Sequence, residues 1–143
     1  MTDDDYKPAD LTPLYDAIAV GIIQTDRYLG QTGKDHDVIF TIMTDGLENF
    51  STNYALEDIF RMISEKEKNG WVFNYLGANQ DAWQVARNIG IKSNHAADYD
   101  AYDPRKAFHT VADSTINAKF HMKRGMPLRR FFTKEDRRRL LKK

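Results

Sequence analysis

Apolar and polar positions fall into blocks along this chain, and the length and period of each block predict its element. Residues 38–44 are apolar or β-branched with no charge among them. That pattern fits a strand buried on both faces, as in a parallel sheet with helices on either side. A second such run spans 71–76, where Trp71, Phe73 and Tyr75 alternate along one face and read as core packing. Upstream, Leu14, Ala17, Ile18, Gly21, Ile22 and Leu29 recur at helical spacing, with Thr12 as cap, Pro13 in the first turn and Gly30 and Gly33 ending the helix near Leu29.

The alternation continues. Ser51, Thr52 and Asn53 are competent caps for a helix to about Lys68, with Leu56, Ile59, Phe60 and Ile63 inward and Asn69-Gly70 closing it. Asp81 caps a short helix over 82–89, and residues 96–99 hold a short edge strand. Asp103 caps a helix over 104–123 with Ala107, Val111, Ile116 and Phe120 inward, and residues 133–136 start a last basic helix reaching Lys143. Helices alternating with strands predict an α/β fold: a partial doubly wound, Rossmann-like parallel sheet flanked by helices, with carboxyl-terminal helices added. The chain divides into an acidic, flexible lead-in (1–10), an α/β core (11–102) and a basic helical extension (103–143).

Ligand sites in open α/β sheets gather where strands end at their carboxyl edge. The first strand ends there at Asp45-Gly46, a turn pair or a ligand-holding one. Thr44, Asp45, Glu48 and Asn49 could serve a hydrolase, but no lysine or second carboxylate stands in a phosphatase-type motif, so a non-enzymatic binding role ranks first. Asp35, His36 and Asp37 fall at the opposite, amino edge. His109 and Asp113 lie one helical turn apart and read as a surface pair.

Composition adds limits. The 143 residues carry 21 basic and 21 acidic side chains, so net charge favours no polyanion. The distribution is uneven: Asp3, Asp4 and Asp5 open the chain, whereas from Lys119 onward eleven Lys or Arg face two acids. Arg129, Arg130, Arg137, Arg138 and Arg139, mixed with Phe131 and Phe132, allow either nucleic-acid binding or an amphipathic segment docked through Phe131, Phe132, Leu140 and Leu141. Docking ranks first. Without cysteine there is no disulfide or thiolate site, which suits a cytoplasmic protein. No apolar run approaches a membrane span and no signal-peptide pattern follows Met1, so no membrane partner is expected.

Residues 12–18 (TPLYDAI) and, some twenty residues on, 38–49 with Thr44-Asp45-Gly46 together resemble the von Willebrand factor A (VWA) domain. Residues 76–81 (LGANQD) are similar to a version common in bacterial and phage VWA-like proteins. The resemblance covers roughly residues 6–91. It implies a doubly wound sheet with a metal-ion-dependent adhesion site binding Mg2+ at its carboxyl edge. Thr12 matches that family's loop threonine and Asp45 its strand-end aspartate. No Asp-x-Ser-x-Ser motif is present, so the chain reads as the carboxyl-terminal portion of such a domain, missing its first strands, with a partial or vestigial site. The resemblance further implies protein–protein interaction. Asn49, Asn79 and Glu48 line the partner surface. The open edge of the first strand is covered by a second copy, by another polypeptide, or by this chain's own amino terminus or last helix.

Overall fold

The computed structural model describes residues 11–33 and 35–141. Residues 1–10, where the flexible lead-in is expected, Lys34, and Lys142 and Lys143, which the last helix is expected to reach, lie outside the described residues. Helix α1 (Leu14–Thr32) precedes strand β1 (Ile39–Thr44). Helix α2 (Leu56–Lys68) leads to β2 (Val72–Gly77), and α3 (Ala82–Asn88) with a 3-10 turn (Ser93–His95) leads to β3 (Ala96–Asp98). Helices α4 (Pro104–Lys123) and α5 (Lys134–Leu141) complete the fold.

The three strands form a parallel sheet in the order β1-β2-β3, with Ile39 beside Val72 and Tyr75 beside Ala96. Helices cover both faces, so the arrangement is α/β and coarsely Rossmann-like. On one face, Leu14, Ile18 and Ile22 of α1 and Ile59 and Ile63 of α2 pack with Ile42, Phe73 and Tyr75. On the other, Ala107 and Ala118 of α4 join Phe131, Phe132 and Leu140 against Leu76 and Ala97. Trp71, Phe73 and Tyr75 are buried together, as their alternation predicts.

Several boundaries differ from the sequence reading. Helix α1 runs through Gly30 and ends at Thr32, with Gly33 in the left-handed conformation. Pro13 rather than Thr12 stands at its cap position, without a side-chain cap bond. Ser51, Thr52 and Asn53 do not cap α2, which starts behind Ala55. There the Asp58 carboxylate accepts the Ala55 amide at 2.9 Å. Asp103 makes no cap bond to α4. Asp81 and Thr133 do cap α3 and α5 by accepting the amides of Gln84 and Asp136.

The inward faces also need correction. Phe60, Ile116 and Phe120 are exposed; α4 buries Ala107 and packs Val111 against the core as expected, and adds Thr110, Ser114 and Ala118. Docking of the carboxyl-terminal segment holds for Phe131, Phe132 and Leu140, while Leu141 stays 55% exposed. Helix α5 packs on β3 and α4, at the far side of the sheet from β1, so it does not cover the β1 edge.

Strand β1 is the edge strand of the described sheet. The Val38 and Thr44 carbonyls accept the amides of Val72 and Ala78. Backbone alternation therefore turns the amides and carbonyls of Ile39, Thr41 and Met43 toward the side where no described strand pairs. No described helix is long and apolar enough to cross a membrane.

Candidate functional site

The carboxyl ends of the strands meet the start of α1 at an open, polar hollow lined by Leu11, Thr12, Asp45, Gly46, Leu47, Asn49 and Asn79. The structure thus gathers Thr12, Asp45, Asn49 and Asn79, which lie far apart in sequence, on one surface.

Each is positioned by a traceable contact. Thr12 donates its amide to Asn49 Oδ1 at 2.7 Å, and Asn49 returns its amide to the Thr12 carbonyl at 3.1 Å. The Thr12 hydroxyl lies hard against the Asp45-Gly46 turn: a Cβ on Gly46 would sit 3.0 Å from Thr12 Oγ1. Thr44 shapes that turn by donating its hydroxyl to the Gly46 carbonyl and accepting the Gly46 amide. Asp45 is exposed, and its charge, after burial, contributes to raising the Tyr99 phenol above its usual value. Asn79 takes a left-handed backbone conformation, φ 59°, which asparagine tolerates better than most residues.

Glu48 is placed otherwise. Its carboxylate accepts the Tyr15 amide in the first turn of α1 and the amides of Phe50 and Ser51. Burial pushes its carboxyl up, but hydrogen bonds from the Ser51 side chain and these amides outweigh it and hold the group below its ordinary value. The Ser51 hydroxyl accepts the Asp16 amide, and the Asp16 carboxylate accepts the amides of Thr52, Asn53 and Tyr54. The free amides of α1 are therefore satisfied by a loop more than thirty residues away in sequence, and Glu48 is spent on that capping.

Sequence reasoning missed Gln80. Its amide donates to the Gly46 and Ala78 carbonyls, and its oxygen accepts the Tyr75 hydroxyl at 2.7 Å. It ties the ends of β1 and β2 together. The signal available was Gly77, whose missing Cβ leaves room for Gln80: a Cβ there would stand 2.7 Å from Gln80 Cδ.

The hollow offers a hydroxyl, one carboxylate and amide oxygens, donors suited to a hard cation that keeps most of its waters. Among the described residues, no group of three or more His, Cys, Asp or Glu could hold a metal ion. His36 contacts Thr32, and Asp113 pairs with Arg139 rather than His109.

The five arginines do not form one surface. Arg138 pairs with Glu135, and Arg139 with Asp113. Arg137 donates to the Ser93 and Ala96 carbonyls and lies over the Trp83 ring. Arg129 and Arg130 are exposed. Comparisons of the chain with protein-family models, curated proteins and solved structures find no match.

Proposed function

We propose that this chain is a VWA-like, non-enzymatic protein–protein interaction module that binds through its β1 edge and the adjoining hollow. The observation that carries the reading is the side of β1 that pairs with no other strand among the described residues, on a strand with apolar side chains on both faces. An apolar strand with free amides and carbonyls is a template for pairing with another chain. The hollow at its carboxyl end continues that surface, so one partner can engage both.

In this reading Thr12 and Asp45 hold Mg2+ weakly, with Asn49 and Asn79 beside them. The ion supplies a coordination position for a partner's carboxylate. Two protein ligands leave most of an octahedral shell to water, so partner and metal bind cooperatively.

Two measurements test this. Sedimentation of the full chain should show self-association, or a stable complex when an added strand-bearing polypeptide pairs with it; a monodisperse monomer that pairs with no added strand contradicts the reading. Calorimetric titration with magnesium chloride should show weak binding, roughly millimolar, that Asp45→Ala abolishes. Binding unchanged in that variant removes the metal from the account.

A further inference from the structure

We infer that the surface joining α3 to the carboxyl-terminal segment, at the β3 side of the sheet, is an interface for single-stranded nucleic acid. Trp83 and Arg87 lie four residues apart on α3, one above the other on the same face, and both are exposed, Trp83 by 46%. Arg87, Lys92, Ser93 and Asn94 line one shallow hollow. The Asn94 carbonyl accepts the amides of Phe131 and Phe132, and its side-chain amide donates to the Arg129 carbonyl. Those bonds hold the backbone at Arg129, Phe131 and Phe132 against Asn94, and the Arg129 and Arg130 side chains line a second hollow with Asn117 and His121. Arg137 closes the circuit: its guanidinium stands 4.8 Å from the centre of the Trp83 ring and donates to the Ser93 carbonyl.

Two distant stretches of the chain thus meet at Asn94, with Arg87 and Lys92 at one hollow, Arg129 and Arg130 at the other, and the exposed Trp83 on the helix that carries Arg87. None of the four forms an ion pair among the described residues. Glu67 acts on Lys92, and Asp98 and Asp136 act on Arg137. Asp98 and Asp136 are engaged with the amides of Ala82 and Thr133. In a chain of zero formal net charge this is a local concentration of exposed basic side chains.

Cations that track a phosphate backbone, interleaved with an aromatic ring that stacks a base, are the elements of sequence-tolerant single-strand binding. An acidic polypeptide would use the cations but gain no base stacking on the indole. Buried aromatics Phe131 and Phe132 hold the segment down, so docking and display of Arg129 and Arg130 are two results of one arrangement.

The test is fluorescence anisotropy of the full chain with a labelled oligothymidylate of about 20 nucleotides, against rising salt, with poly-glutamate as competitor. Binding should weaken with salt at a log–log slope of about −0.7 per phosphate contacted. The double variant Arg129→Gln/Arg130→Gln should reduce that slope by about 1.4. Trp83→Ala should weaken binding roughly ten-fold and leave the slope unchanged. All three positions are exposed, and unchanged circular dichroism verifies the fold of each variant. The inference is overturned by no binding at low salt, by binding that these variants leave unaltered, or by poly-glutamate competing as well as the oligonucleotide at equal charge.

Discussion

Thr12 and Asn49 hold each other through a reciprocal pair of hydrogen bonds, amide to side-chain oxygen at 2.7 Å and amide to carbonyl at 3.1 Å. That pair locks the loop before α1 to the loop after β1, and the hollow exists because the two loops are held together. Asn49→Ala removes one of the bonds and leaves the Thr12 amide to water. The expected cost is about 1 kcal/mol, measured by chemical denaturation, with faster exchange of the Thr12 amide as the local readout. An unchanged Thr12 exchange rate would separate Asn49 from the support of the hollow.

Asp16 and Glu48 make the same junction sensitive to acid. Hydrogen bonding from Thr52 first, opposed by desolvation and reinforced by Asn53 and Tyr54, holds the Asp16 carboxyl below its ordinary 3.8. Glu48 is likewise held below 4.5, against burial. A carboxyl whose value is depressed by folding contributes stability that is fully present above the unfolded value and is lost as pH falls through the folded one. Stability should therefore decline below about pH 4.5 as protons enter these groups. In Asp16→Asn/Glu48→Gln the acid limb should be shallower, as read by denaturation midpoints across pH.

Gln80 and Gly77 form a second junction, and each substitution there has its own consequence. Gln80→Ala strands the buried Tyr75 hydroxyl, at a cost of about 1–3 kcal/mol. Gly77→Ala drives a methyl into Gln80 and should cost about 1–3 kcal/mol through overpacking. Because both act by displacing the same side chain, the double variant should be less destabilised than the sum of the two. Additive losses in a thermal-denaturation cycle would show that Gly77 and Gln80 act independently.

The carboxyl-terminal segment is anchored through aromatic burial, so Phe131→Ala should cost about 3–5 kcal/mol. Leu141→Ala, at an exposed position, should change stability by less than about 0.5 kcal/mol. Equal losses in the two variants would contradict the docking described for this segment.

The strands and their order along the chain are legible in the sequence because uncharged apolar runs at 38–44 and 71–76 have few alternative fates. The face of α4 is legible only in part, through Ala107 and Val111. Size favours Ile116 and Phe120, whereas the buried face also takes the smaller Thr110, Ser114 and Ala118. The start of α2 was misplaced because Ser51, Thr52 and Asn53 are good caps locally, yet they serve α1 through Asp16. Local propensity does not show a partner more than thirty residues away. The same holds for the site. Thr12 and Asp45 could be picked out from the sequence, but the capping role of Glu48 and the bridge through Gln80 emerge only when the chain is folded.

The open side of β1 carries the central claim, and amide hydrogen exchange on the full chain tests it most directly. In the complex or oligomer, the amides of Ile39, Thr41 and Met43, which point away from β2, should be protected to an extent approaching those of β2. Free exchange of those three amides, in a chain that sediments as a single monomeric species, would contradict it.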